Sequence, residues 1–135
     1  MQLTKAQREQ VRLKCGGRCA YCGTVLGAKW HADHVQPVER VGKWVFGKYV
    51  TTGELGRPER DTLDNMLPAC VPCNIDKSTY SLNEWRKKLE RSHDVLLRNY
   101  STYKHALRFG LVVPQPPKVI FYFETYRPRR RIAMS

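Results

Sequence analysis

Cys70-Val71-Pro72-Cys73-Asn74-Ile75-Asp76-Lys77 is the stretch on which the fold turns, because its two cysteines answer an earlier pair, Cys19-Ala20-Tyr21-Cys22. Two Cys-x-x-Cys pairs supply four thiolates, the complete tetrahedral shell of a structural Zn²⁺, with no position left open for catalysis. Gly23 permits the tight turn that lets the first pair face one ion. The chain between the pairs, residues 23–69, is far longer than in a simple zinc ribbon. It must be looped out and closed by the metal, and a small domain gains most from tying two distant segments together in this way. Cysteines paired at this spacing in a reducing compartment argue for metal over disulfides. The fifth, Cys15, has no partner at ligand spacing and reads as a small buried hydrophobe at a helix end.

Working outward, Thr4-Lys5-Ala6-Gln7 is a capping box and starts a helix over about Lys5–Cys15, which Gly16-Gly17 ends. A short strand is expected over Lys29–Val35, ending near Pro37. A second extended stretch, Lys43–Thr52, is rich in Trp, Val, Phe, Tyr and Thr, and Gly53, Gly56 and Pro58 mark turns after it. This stretch reads as an inserted extended hairpin or loop, and serves either as a core or edge strand or as a basic, aromatic finger that touches nucleic acid. A helix is expected from Cys70 to Lys77. Ser81-Leu82-Asn83-Glu84 is a second capping box, followed by Leu82, Trp85, Leu89, Leu96, Tyr103 and Leu107 at helical spacing. That stripe predicts a core-facing helix, single or broken near Ser92, which Gly110 and the prolines at 114, 116 and 117 end. Val119–Phe123 predicts a strand, and Arg127–Arg131 a basic tail that is either a solvated end or a phosphate-contacting arm.

With 135 residues the chain is expected to form one domain, and its 24 Lys and Arg against 12 Asp and Glu leave a net charge of +12. That excess points to a polyanionic partner, nucleic acid being the commonest. Residues 1–10 have no apolar signal-peptide core, and no apolar run approaches the roughly 18 residues of a membrane span. An intracellular protein without a membrane partner is expected.

Between the cysteine pairs lie His31-Ala32-Asp33-His34, Pro37 and Asp64-Asn65, and the second pair runs into Asn74 and Lys77. Taken in this order, Cys19, Cys22, Asp33-His34, Pro37, Asn65, Cys70, Cys73, Asn74 and Lys77 resemble the HNH endonuclease family over about residues 12–80. Residues 81–135 form an extension outside the resemblance. The likeness implies an α+β fold: a ββα-metal (His-Me finger) core stapled by a four-cysteine Zn²⁺, with an N-terminal helix and a C-terminal helical extension plus a short strand. It implies His34 as general base, Asp33 and Asn74 as ligands of a catalytic Mg²⁺ or Mn²⁺, and Asn65 as the residue that orients His34. It also associates the chain with phage-encoded nucleases.

Elementary chemistry agrees with those roles. Hydrolysis of a phosphodiester needs a deprotonated water, and imidazole, with an ordinary pKa of about 6.5, is suited to take that proton near neutrality. A hard cation held by two oxygen ligands would neutralise the charge that builds on the phosphate. Neighbouring residues of a regular strand face opposite ways, so Asp33 and His34 meet one ion only where the strand ends or bulges. Irregular backbone is expected at that step. His31 shares the parity of Asp33 and is a third ligand, a rival base or a packing residue. Asp64 and Asn65 could exchange roles, because thirty residues (35–64) separate His34 from Asn65. Lys77 either contacts phosphate or pairs with an acid to brace its helix. The resulting expectation is an endonuclease acting on double-stranded DNA as a monomer that nicks or as a homodimer. The alternatives are an RNA-cleaving variant and a non-catalytic zinc module that binds nucleic acid.

Overall fold

A computed structural model describes residues 1–128, in a mixed α+β arrangement. Helix α1 spans Lys5–Leu13; strands β1, β2, β3 and β4 span Trp30–His34, Arg40–Val45, Lys48–Leu55 and Met66–Cys70. Helices α2 to α6 span Val71–Lys77, Leu82–Glu90, Ser92–Asn99, Ser101–Arg108 and Tyr122–Thr125. Residues Arg129–Arg131 of the basic tail lie outside the described residues. Both anticipated capping boxes form, Thr4 with Gln7 and Ser81 with Glu84. No helix among the described residues is long and apolar enough to cross a membrane.

The central sheet has two antiparallel strands, with Trp30 opposite Cys70 and His34 opposite Met66. Sequence reading does not anticipate β4, since Pro68 sits at its middle. In a two-stranded sheet that proline costs little, because one edge of the strand is free of the ladder. The Pro68 carbonyl instead accepts from Ala20 N–H at 2.8 Å, which fastens β4 to the first cysteine turn.

Strand alternation divides the side chains between two cores. Trp30, Ala32 and Met66 pack with Val11 of α1, Leu3 and Leu63. Leu67 and Ala69 face the other way, into an aromatic cluster with Tyr21, Trp85 and Phe121. Trp85 stacks on Phe121 at 5.1 Å between ring centroids, and Tyr21 meets Trp85 edge-on at 5.0 Å. Arrangements of this kind add to the area term of aromatic burial. Trp85 Nε1–H also donates to Asp76 of α2 at 2.7 Å, so α3 is tied to α2.

Four expectations are corrected. The backbone is regular at Asp33–His34: both residues pair in register, opposite Leu67 and Met66, and the strand ends only after His34. Of the readings of Lys43–Thr52 only the core strand is corrected: the stretch lies in an extended hairpin, β2–β3, as the hairpin reading had it, and the hairpin's residues are all half-buried or exposed. The long helical stripe breaks twice, at Arg91 and again at the extended residue Tyr100. Its core role is confined to α3: Trp85 is buried and Leu82 and Leu89 pack against its cluster, whereas Leu96 is 38% exposed. Val119–Phe123 is no strand; its second half begins α6, a single helical turn. Glu124 accepts from Phe121 N–H and pairs with Arg86, favouring a turn there, while Tyr122 and Phe123 N–H donate to the carbonyls of Tyr21 and Ala20. The aromatic run therefore packs on the cysteine turn instead of joining a sheet.

Truncating Phe121, which is 1% exposed, should cost about 3–5 kcal/mol. In urea unfolding the Phe121→Ala variant is expected to lose that much, while Ile120→Ala, next to it but exposed, should change stability by less than about 0.5 kcal/mol.

Candidate metal centre and the adjoining cleft

The four cysteines arrive from two elements. Cys19 and Cys22 lie on a tight turn in which Gly23 N–H donates to the Cys19 carbonyl at 3.0 Å and Tyr21 N–H points at Cys19 Sγ. Gly23 has φ +79, and a Cβ there would come within 3.1 Å of the Tyr122 ring, so the position needs glycine twice over. Cys70 closes β4 and caps α2, which places Cys73 in the first turn of that helix. All four Sγ atoms lie within 4.8 Å of one another, and those of Cys22 and Cys70 are 3.7 Å apart. That spacing matches two thiolates each about 2.3 Å from one tetrahedral ion. The cluster could therefore hold a metal ion such as zinc.

A hydrogen bond from Cys73 holds the Cys19 thiol down to about 4, against the opposing effect of its burial. The same contact with Cys19, and burial after it, push Cys73 up. Cys15 stands outside the cluster at 2% exposure, and burial raises its thiol pKa, in keeping with a packing residue.

Beside the cluster, β1 and α2 flank a cleft of about 260 Å³ whose lining includes His31, Asp33, His34, Arg40 and Asn74. Asp33 is 7% exposed, and Lys77, on α2, is fully buried. The Lys77 ammonium lies 3.1 Å from Asp33 Oδ2 and donates to the His34 carbonyl at 2.9 Å. The Tyr21 hydroxyl donates to the same Oδ2 at 2.5 Å. Burial, and after it the Asp33 charge, push the Tyr21 phenol up, so it stays a donor. Both contacts fall on Oδ2.

His34 points to the opposite side of the sheet from Asp33, and its Nε2 lies 2.9 Å from Asp61 Oδ1. Asp61 also pairs with the Met1 ammonium, and these two hydrogen bonds, the ammonium's first, hold its carboxyl below the ordinary range. Asn65 makes no hydrogen bond to the imidazole, whose partner is Asp61. Its amide donates to the carbonyls of Gln36 and Arg60 at 2.8 and 2.7 Å and its oxygen accepts from Gln36 N–H, while its own carbonyl accepts from Val35 N–H. It positions the loop that leaves His34. Asp64 is exposed at the edge of that region and does not share this role.

Of the residues singled out from sequence, His31, Asp33, His34 and Asn74 thus come together at one cleft, Lys77 lies beneath it, and Asn65 stands one loop away. Two participants were not anticipated. Tyr21 lies inside the first cysteine pair and Asp61 in a turn-rich stretch, and no spacing rule ties either to β1. Comparison of the chain with protein-family models, with curated proteins and with solved structures finds no match.

Removing one member of a buried ion pair leaves the other charge unpaired. Lys77→Met is expected to destabilise the protein by about 3–5 kcal/mol in urea unfolding near neutral pH, and Lys77→Met combined with Asp33→Leu should regain most of the loss.

Proposed function

We propose that the protein is a metal-dependent DNA endonuclease of the HNH type, with His34 as its general base and the four-cysteine centre as a structural zinc site. The observation that carries this reading is the cleft that brings Asp33, His34 and Asn74 together between β1 and α2. The resemblance of the motif order to the HNH family supports it, as does the net charge of +12.

A carboxylate and a carboxamide offer hard oxygen donors, which suit Mg²⁺ or Mn²⁺ better than a sulfur-seeking ion. Asp33, through the oxygen not engaged by Tyr21 and Lys77, and Asn74 are the residues that would hold the ion. When bound, it would neutralise charge developing on the phosphate and the leaving oxygen. Lys77 offsets the charge of Asp33, so the protein alone makes a nearly neutral site, and the substrate phosphate has to contribute to holding the cation.

His34 engages Asp61 through Nε2, which leaves Nδ1 as the nitrogen that can accept a proton from water. Asp61 fixes the ring and offsets the positive charge that imidazole gains as it does so. Asn65 holds the loop through Gln36, at the entry to the Pro37–Arg40 segment that lines the cleft. Arg40 and His31 face the same space and are suited to contact a phosphate. The products would be 5′-phosphate and 3′-hydroxyl ends. One such site cuts one strand, so a monomer nicks and a double-strand break requires a dimer or two events.

One observation favours a competing reading, a non-catalytic nucleic-acid-binding module: Asp33 is buried and paired with Lys77. A plasmid-nicking assay with Mg²⁺ or Mn²⁺ separates the two, with an RNA substrate run in parallel. The wild type is expected to convert supercoiled DNA to nicked circles, and His34→Ala to be slower by about 10²–10⁴-fold. Binding without any His34-dependent cleavage would sink the enzyme reading, and cleavage of RNA alone would move the substrate.

A further inference from the structure

The β2–β3 hairpin contributes nothing to either core, yet it carries large apolar side chains into solvent: Trp44 is 73% exposed, Phe46 103% and Tyr49 51%. Its turn is the two-residue loop Phe46-Gly47 between the paired residues Val45 and Lys48, with φ +49 and +77. Positive φ at both central positions defines a type I′ turn, where Asn-Gly is the favoured sequence. Phenylalanine there incurs backbone strain, and its ring, fully exposed, packs on none of the described residues to offset it. A strained residue with a wholly exposed aromatic ring is a motive for seeking a function at that point.

The register sorts the hairpin into two faces. Trp44 and Tyr49 are cross-strand partners with ring centroids 5.5 Å apart, and Tyr49 leans over Gly42, where a Cβ would meet its ring at 2.7 Å. Lys43 and Lys48 alternate onto the other face. From Arg40 to Gly53 there are three basic residues, Arg40, Lys43 and Lys48, and no acidic one. The base of the hairpin is fastened by Gly56 N–H to the Glu39 carbonyl and Arg57 N–H to the Val38 carbonyl, and Val38, Glu39 and Arg40 line the cleft. The hairpin is therefore a continuation of the cleft wall.

We infer that the β2–β3 hairpin is a duplex-DNA grip, with Lys43 and Lys48 on phosphates and Phe46 and Trp44 applied to bases. A free two-stranded ribbon is of a width that the major groove admits. Aromatic rings provide sequence-tolerant stacking, and the tip could wedge a base step. At about 3.4 Å per residue, Arg40 to Phe46 reaches about 20 Å from the cleft wall, or roughly six base pairs of 3.4 Å each. The partner follows from the nuclease reading, but the test does not depend on cleavage. A membrane surface also attracts exposed aromatic and basic residues; continuity with a polar cleft lined by His31, Arg40 and Asn74 favours DNA.

The test uses the zinc-loaded full chain without Mg²⁺ or Mn²⁺, binding a short fluorescent DNA duplex, the matching single strand, and phosphatidylcholine vesicles carrying phosphatidylserine. Phe46→Asn installs the favoured turn, so its melting temperature should match or exceed the wild type's while duplex affinity falls by about 5- to 100-fold. Lys43→Ala with Lys48→Ala should reduce the slope of log affinity against log salt by about 1.8. Wild-type binding with both variants unchanged, or no wild-type binding to DNA, would overturn the grip, and either leaves the nuclease reading to the nicking assay. Phe46-dependent binding to vesicles only, or to single strands only, would overturn the duplex assignment.

Discussion

Four cysteine sulfurs within 4.8 Å of one another join residues 19–22 to residues 70–73, and the positions of most other elements follow from that join. It brings the first turn beside the end of β4 and the start of α2, so that β1 and β4 pair as neighbours although the hairpin and two 3₁₀ turns intervene between them. A sheet of two strands is marginal by itself in water. Here it is held between α1 on one face and the Tyr21–Trp85–Phe121 cluster on the other, and that cluster packs on the cysteine turn. Tyr122 and Phe123 then bond to the carbonyls of Tyr21 and Ala20, so the end of the described chain closes on the same turn.

The second constraint is a buried charge pair. Asp33 and Lys77 stabilise each other only because Tyr21 and the His34 carbonyl complete their hydrogen bonding. Through this network α2 is docked against β1, and Asn74, one turn before Lys77, is presented at the cleft. The cysteine centre and the cleft are thus coupled through two short elements: β1 carries Asp33 and His34, and α2 carries Cys73, Asn74 and Lys77. Tyr21, which stands between Cys19 and Cys22, donates to Asp33 and so links the cysteine turn to β1 directly.

Parts of the molecule that depend on local chemistry were legible in the sequence. Capping boxes announced α1 and α3, and two pairs of cysteines at equal spacing announced their cluster. Glycines at 16, 17 and 23 marked turns that take positive φ. What escaped were features decided by distant partners. Pro68 concealed β4 because its tolerance depends on which strand edge is free. Val119–Phe123 has the composition of a strand, but Tyr21 and Trp85 supply an aromatic cluster for Phe121 where a strand would need a ladder. Asp61 meets His34 across a loop, so no spacing connects them. The irregular backbone expected at Asp33–His34 followed from requiring both side chains to meet one ion. The backbone stays regular, with the strand end after His34, so the two side chains leave opposite sides of the sheet, Asp33 toward Tyr21 and Lys77 and His34 toward Asp61.

The measurement that bears most directly on the central claim is X-ray absorption at the zinc edge, together with metal content, on the purified full chain. One zinc per chain surrounded by four sulfur scatterers at about 2.3 Å is expected, with that shell lost when Cys22 and Cys73 are both replaced by serine. A fully folded protein without bound metal, or a shell containing nitrogen or oxygen ligands, would contradict it.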